Sequence, residues 1–201
     1  MALFGLVTSS TGILGVLSQD HRRVESLFEE FKNAETAPSR RRIARQAIME
    51  LKIHSQIEEE LFYPAVRARS SEEKAADMVG EAIEEHHVVK LLIRELEAKS
   101  SADDVFKHKF TVLSELVVHH AQEEEKEMFP AAETGELNLE RLGERAAERK
   151  RALLKTMATG IRTPRTARRR QTRTAARGAR GNRVRARGSG RGRKSAAARR
   201  K

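Results

Sequence analysis

The residues best suited to chemistry in this chain form a motif that occurs twice. His54 and Glu58 stand four positions apart, and so do His120 and Glu124. Both copies read His-x-Gln-x-Glu-Glu, and a Pro-Ala pair follows at the same offset in each. Residues four apart on a helix lie on the same face. Each copy therefore aims an imidazole and a carboxylate at one point, and two such helices supply half of a dinuclear metal site.

Two more histidines extend this motif into a repeat of the whole chain. His21 and His86 share a context, because each follows an acidic residue and precedes Val by three and Leu by six positions. The four histidines His21, His54, His86 and His120 are separated by 33, 32 and 34 residues. We therefore interpret the chain as a duplicated helical hairpin with one histidine on the apolar seam of each helix.

At three of the candidate ligand positions, an adjacent residue of the same type is an alternative ligand. Helical periodicity distinguishes the two. His86 is in register with apolar residues such as Val89, whereas the face of His87 includes charged side chains. His120 is likewise in register with apolar residues, whereas His119 shares its row with a lysine. Glu124, four positions after His120, is selected over Glu123. The predicted metal ligands are His21, His54, Glu58, His86, His120 and Glu124.

Four imidazoles and two carboxylates at the axis of a bundle require a cation, because burying them alone is costly. Nitrogen and oxygen ligands without sulfur suit iron, manganese or zinc. Glu58 and Glu124 can bridge two metals, with the histidines as terminal ligands. Six ligands shared by two ions leave coordination positions open, which suits the binding of a small molecule. No catalytic residue beyond the ligands is assigned. The other glutamates near the motifs, Glu59 and Glu125 among them, are interpreted as a solvated acidic face, although one can orient a ligand imidazole.

The elements that must position these ligands are amphipathic helices. Apolar residues spaced three and four apart predict helices at about 11–33, at about 39–68, after 70–71 and after 100–103. A shorter, charged helix is predicted at about 137–157. The pattern is typical of an all-α, up-down-up-down four-helix bundle with a short fifth helix. Tyr63 lies more than two turns past His54 and is interpreted as a packing residue near the end of its helix.

Charge divides the chain into an acidic part and a basic tail. The net charge is +11, yet 17 of the 40 Lys and Arg residues lie in 160–201, which contains no Asp or Glu. Residues 1–159 therefore hold 23 basic and 29 acidic residues, a net charge of −6. We predict a bundle at 12–134, a charged helical extension at 135–159 and a disordered, Arg-rich tail at 160–201.

The tail is similar in composition to the basic tails of histone-like bacterial proteins. Its arginines alternate with Gly and Ala, and no aromatic residue is present to stack on bases. Such a segment is suited to the phosphate backbone of nucleic acid, without sequence preference. A solubilising extension, or a contact with the acidic domain, would have the same composition. The residues assigned to phosphate contact are Arg168, Arg169, Arg170, Arg173, Arg177, Arg180, Arg183, Arg185, Arg187, Arg191, Arg193 and Lys194.

Composition also excludes several classes of site. The absence of cysteine excludes disulfides, zinc–thiolate sites, iron–sulfur clusters and thiol catalysis. Residues 1–17 are apolar but lack a basic segment and are interrupted by polar residues and glycines, so no signal peptide is expected. No stretch is long enough to span a membrane. A cytoplasmic location, with association to the nucleoid through the tail, is therefore expected.

The ordered set of ligands resembles that of hemerythrin-like proteins, or HHE cation-binding domains. Their pattern is His, His-x-x-x-Glu, His and His-x-x-x-Glu or Asp on four successive helices, and residues 12–133 match it. The resemblance implies two non-heme iron ions bridged by the two carboxylates and an oxo or hydroxo group. Oxygen carriers in the family have a further histidine four positions after that of helix three. Lys90 stands there in this chain, so reversible oxygen carriage is not implied.

The resemblance implies a protein that binds or senses oxygen, peroxide, nitric oxide or iron. Two alternatives stay open. One is a di-iron redox enzyme that decomposes peroxide in the manner of a catalase. The other is a nucleic-acid-associated stress protein that uses its basic tail. The sequence assigns no oligomeric state.

Overall fold

The structure is a computed structural model that describes residues 11–69, 73–99, 104–135 and 137–160. All of them belong to the first of the two units into which the chain divides, Met1–Gly160 and Ile161–Lys201. The predicted disorder and phosphate contacts of the tail beyond Gly160, and the apolar segment at 1–10, lie outside the described residues.

The described residues form seven α-helices and two π-helical turns, and they contain no strand. The first half consists of α1 (Gly12–Lys32), α2 (Ala37–Ile57), the first π turn (Glu58–Phe62) and α3 (Tyr63–Arg69). The second half consists of α4 (Glu73–Ala98), α5 (Asp104–Glu123), the second π turn (Glu124–Met128) and α6 (Phe129–Thr134), and α7 (Leu139–Gly160) follows. Because each π turn joins its two flanking helices into one rod, the described residues up to Thr134 build four rods and α7 adds a fifth. The predicted all-α four-helix bundle with a further helix is confirmed. None of the described helices is long and apolar enough to cross a membrane.

The start of α2 shows how local chemistry sets a helix boundary. Oγ1 of Thr36 accepts a hydrogen bond from the backbone N–H of Ser39 at 3.3 Å and so caps the helix. Pro38 occupies the first turn, where its missing N–H leaves no helical bond unmade. α2 therefore begins two residues before the predicted start at 39, because Pro38 belongs to the helix and not to the preceding loop.

The two π turns are features that a helical period does not predict. In each turn a backbone N–H donates to the carbonyl five residues before it, Tyr63 to Glu58 and Phe129 to Glu124. A proline then takes the second position of the following helix, where a missing N–H is tolerated. In both copies of the motif, the Pro-Ala pair thus comes directly after the residue whose N–H closes the π turn. Single π turns inside helices often mark functional sites.

Two clusters of apolar side chains fill the bundle, with a polar layer between them. The first cluster includes Leu17, Phe62 and Phe129, and the second includes Phe28 and Phe110. On α1, α4 and the rod of α5 and α6, the centre residues lie between the residues of one cluster and those of the other, whereas on α2 Ile53 and Ile57 of the first cluster also flank His54. The buried polar side chains of the layer include Asp20, His54, Glu58, His86, His120 and Glu124.

α7 packs against α1 and α2 and is a helix of 22 residues, which begins two and ends three residues later than the helix predicted at about 137–157. The backbones of α1 and α7 meet at two glycines. A Cβ on Gly143 would lie 2.5 Å from the backbone of Gly12, and a Cβ on Gly12 would lie 2.1 Å from the carbonyl oxygen of Leu139. Gly12 also has a φ of +64°, so glycine is needed at this contact. α7 adds three side chains to the first apolar cluster, Leu142, Ala146 and Leu153.

Candidate metal centre

The six predicted ligands meet in two groups in the polar layer. The first group is His21, His54, Glu58 and Glu124, and the second is Glu58, His86 and His120. Within each group, one ligand atom from every residue lies within 4.8 Å of the others. The two imidazoles of each hairpin face each other through Nε2 atoms 3.1 Å apart, in both halves. The structure therefore brings all six side chains together, and their binding of metal stays a prediction.

The neighbours that periodicity rejects lie outside this layer. His86 and His120 are 3% and 5% exposed, whereas His87 is an exposed residue. The side chain of His119 is 64% exposed and forms an ion pair with Glu123 at 3.1 Å. The apolar register of the helices is thus sufficient to distinguish inward from outward histidines at these adjacent positions.

The two carboxylates lie between the hairpins. Oε1 of Glu58 is 3.0 Å from Nε2 of His54, and Oε2 is 3.4 Å from Nε2 of His86. Oε2 of Glu124 lies 3.3 Å from Nε2 of His21 and 3.6 Å from Nε2 of His120. Each carboxylate therefore faces imidazoles from both hairpins, as a bridging ligand must.

Buried oxygen atoms without a donor are evidence that this layer fits cations. Glu58 is 0% exposed, and neither of its oxygens has a hydrogen-bond partner. Oε2 of Glu124 is also buried without a partner. A buried carboxylate that lacks donors is costly, whereas a cation between carboxylates and imidazoles would use these lone pairs. The donor set of nitrogen and oxygen suits iron, manganese or zinc.

Each centre imidazole presents its outer nitrogen, Nδ1, to a second carboxylate. Three of these contacts are hydrogen bonds, His21 with Glu125 at 2.9 Å, His86 with Glu59 at 2.8 Å and His120 with Glu85 at 2.6 Å. The fourth pair, Nδ1 of His54 and Oδ2 of Asp20, is 3.8 Å apart, which is too long for a hydrogen bond. Such carboxylates orient the rings and raise their basicity as ligands. Glu59 and Glu125, interpreted from the sequence as part of a solvated acidic face with the alternative of orienting a ligand imidazole, take the second role, because the π turns direct them to the imidazoles.

Two of the three carboxylates that hydrogen-bond an imidazole are in turn paired with cations. Lys90, at the position of the absent fifth histidine, donates to Oε2 of Glu59 at 2.6 Å and so supports the partner of His86. Arg22 lies 3.3 Å from Glu125 in the other half. Lys90 thus orients an outer carboxylate of the centre without supplying a ligand.

The two halves differ at the residue nine positions after each motif histidine. In the first copy this residue is Tyr63, whose hydroxyl donates to Oε1 of Glu124 at 2.8 Å and lies 3.3 Å from Nε2 of His86. In the second copy it is Phe129, which stacks on His21 with ring centroids 6.1 Å apart. An α-helical register turns Tyr63 away from the ligands, but the first π turn brings its hydroxyl into the centre. The proline that follows it is the sequence signal that indicates this shift.

The buried acids and imidazoles shift each other's pKa values. Burial disfavours a charge on His54, but Glu58, Asp20 and Glu124 together outweigh it and raise the pKa of His54 to about 10. Burial of His86 is likewise outweighed by Glu58 and Glu59, which raise its pKa to about 9. Burial raises the pKa of Glu58, yet His54 and His86 together hold it well below its usual range. Charged His54 and His86 thus lie beside the charged carboxylate of Glu58 at neutral pH.

A cavity of about 30 Å³ adjoins the imidazoles on the side of the second apolar cluster. A site needs roughly 10–15 Å³ of such volume to hold one water molecule, so this cavity has room for a ligand of one or two heavy atoms. Its walls are mostly apolar and include Val24, Phe28, Leu51, Val89 and Val117.

Comparisons with known proteins agree with this geometry. The family model described as "Hemerythrin HHE cation binding domain" matches residues 12–132. A solved structure of an HHE cation-binding domain-containing protein from Mycobacterium kansasii is similar, with a TM-score of 0.66 and 25% identity, over 77% of this chain and 94% of that one. A curated protein of Nostoc, named DNA nickase, is 29% identical over 119 residues, which is 59% of this chain. The match spans 33% of the length of that relative.

Proposed function

Because this chain belongs to the hemerythrin HHE cation-binding domain family, we propose that its bundle, residues 12–134, holds two non-heme iron ions and binds a small ligand there. The ligand class is oxygen, peroxide or nitric oxide, or the protein senses iron itself. Glu58 carries the proposal, because it is fully buried, lacks donors and faces imidazoles from both hairpins. His21 and His54 would hold one ion, and His86 and His120 the other.

Iron in such a centre would supply a change between Fe²⁺ and Fe³⁺ and open coordination positions for the ligand. The chain's own residues provide the rest of the environment. The apolar cavity beside the imidazoles has room for a ligand of about the size of a diatomic molecule. Tyr63 keeps a proton on its hydroxyl, because burial and the charges of Glu58 and Glu124 raise its pKa well above the usual value.

The metal content tests this proposal directly. Purified full-length protein should bind about two irons per chain and show near-ultraviolet absorption typical of an oxo or hydroxo bridge. Replacing both carboxylates, Glu58→Gln with Glu124→Gln, should abolish both signals. Glu123→Gln and His119→Ala are matched controls, since they alter adjacent exposed residues, and they should keep the iron. Retention of two irons by the double variant would refute the assignment.

A redox enzyme that decomposes peroxide is a second candidate, and the hydroxyl of Tyr63 favours it. This group is a hydrogen-bond donor 2.8 Å from Glu124 inside the centre, and the sequence alone assigns no such group. The iron-loaded protein should then evolve oxygen from added peroxide. Tyr63→Phe should reduce the rate at least tenfold with the iron content unchanged. Turnover no faster than that of free iron in the same buffer would rule the activity out.

We also propose that the basic tail binds nucleic acid without sequence preference. The support is its charge, 17 Lys and Arg residues in 160–201 with no acid, and one relative is named as an enzyme that acts on DNA. Full-length protein should retard duplex DNA in a gel, with a steep loss of affinity as salt rises. Deletion of 161–201 should abolish retardation and leave the iron content intact. No retardation at low salt would refute this proposal, and with it the nucleoid location.

A further inference from the structure

Asp20 and Glu85 are corresponding residues of the two hairpins. Each directly precedes a centre histidine in the sequence. Each also faces the outer nitrogen of the motif histidine on the following rod, Asp20 that of His54 and Glu85 that of His120. Because a carboxylate in this position raises the basicity of its imidazole, the charge on Asp20 or Glu85 affects an ion bound to the other nitrogen.

The described side chains of α7 supply a cation to one of these two carboxylates, Asp20, and none to the other. Nζ of Lys150 on α7 donates to Oδ1 of Asp20, and the two side chains are 25% and 8% exposed. Asp20 is therefore neutralised by a partner in a place that water screens poorly. Among the ion pairs of the described residues, Glu85 has no partner other than His120. No second helix covers the other hairpin as α7 covers α1 and α2 in the described part of the chain.

The remaining outer carboxylates do not cancel this difference. Glu125, behind His21, is paired with Arg22, and Glu59, behind His86, is paired with Lys90. The position between His21 and His54 thus has two outer carboxylates and two cations. The position between His86 and His120 has two outer carboxylates and one cation. In their outer carboxylates and cations, the two positions differ by one formal charge.

We infer that Lys150 is a positioning residue that makes the two metal positions inequivalent by neutralising Asp20 behind His54. The inference rests on the proposed iron centre and identifies a group outside the residues of the family match that tunes it. Oδ1 of Asp20 is held by Lys150, so its Oδ2 remains directed at His54. The first position, His21 with His54, then favours Fe²⁺ relative to the second, where the charge of Glu85 is not neutralised by a cation and favours Fe³⁺.

The midpoint potential of the iron-loaded, full-length protein tests the inference. Lys150→Gln leaves the charge of Asp20 unbalanced and should lower the midpoint of one iron. A tenfold change in the Fe³⁺/Fe²⁺ equilibrium corresponds to about 59 mV for one electron, and we expect at least that shift. Arg149→Gln is the matched control, because it removes the same charge from the adjacent residue, whose partner Glu60 lies at the surface. Lys150→Arg should retain the wild-type midpoint.

Variants of Asp20 separate an effect of charge from damage to the fold. Asp20→Asn leaves Lys150 unbalanced and should raise the midpoint, opposite in sign to Lys150→Gln. The double variant Asp20→Asn/Lys150→Gln removes both charges and should return the midpoint towards wild type. A double variant displaced further than Lys150→Gln would overturn the inference, as would equal midpoints in Lys150→Gln and Arg149→Gln. Absence of iron from the wild-type protein would instead refute the proposed centre itself.

Discussion

Glu58 is a charged side chain in a place that tolerates charge poorly. It is fully buried, its oxygens make no hydrogen bond, and its pKa is nevertheless well below the usual range because His54 and His86 lie beside it. Protonated imidazoles thus balance the carboxylates in the metal-free chain. A metal ion binds the neutral imidazole and must displace that proton. Iron and protons therefore compete for the same nitrogens.

This competition predicts how the stability of the metal-free protein depends on pH. A histidine whose pKa is raised on folding contributes stability that is complete below its unfolded value, 6.5, and is lost as the pH passes its folded value. For His54 and His86 the folded values are about 10 and about 9. The melting temperature of the metal-free protein should therefore fall between pH 6.5 and pH 10. Iron-loaded protein should show a smaller fall in calorimetry, and a rise for the metal-free form would contradict the assignment.

At the scale of the helices, periodicity predicts the bundle and the positions of the centre histidines but not the π turns. The apolar seam identifies four rods and separates His120 from His119, because burial repeats with the helical period. The position of the Tyr63 side chain cannot be predicted from the helical period, since it depends on a hydrogen bond from the Tyr63 N–H to the carbonyl five residues before it. The pairing of Lys150 with Asp20 cannot be predicted from the helical period either, because it depends on tertiary packing of α7 on α1 across 130 residues of sequence.

The contact between α1 and α7 should be sensitive to a single methyl group. Gly143→Ala places a Cβ 2.5 Å from the backbone of Gly12, and backbone atoms on both sides cannot yield without moving a helix. We expect the free energy of unfolding to fall by about 1–3 kcal/mol, measured by urea denaturation. Gly80→Ala is the control, because no atom lies within 4 Å of its added Cβ. It should raise the free energy by roughly 0.5–1 kcal/mol, since alanine is the better helix former. Equal effects at the two glycines would refute this packing argument.

At the scale of the whole domain, the polar layer separates two apolar clusters that are otherwise continuous along the rods. Burying the charges of this layer costs free energy, which offsets part of the stabilisation that the two apolar clusters provide. Ions that bridge the rods would turn the same layer into a cross-link between them. The stability of the bundle and the occupancy of the centre should therefore change together.

Iron loading should raise the melting temperature by an amount set by mass action. At a free metal concentration about 1,000 times the Kd, binding to the folded state contributes about 4 kcal/mol. A domain of this size gains roughly 2–4 °C per kcal/mol, so we expect a rise of about 8–16 °C by scanning calorimetry, reversed by a chelator. The variant with Glu58→Gln and Glu124→Gln should show no such rise. A similar rise in that variant would indicate metal bound elsewhere.

The uneven share of α7 in the two apolar clusters has a consequence for how the chain is made. A ribosome releases the N-terminal part first, so α1 to α6 emerge while α7 is still being synthesised. The second cluster takes its buried residues only from α1, α2, α4 and α5 and can close at that stage. The first cluster still lacks Leu142, Ala146 and Leu153. The nascent bundle would thus close at one end of the polar layer before the other, and α7 would complete the enclosure.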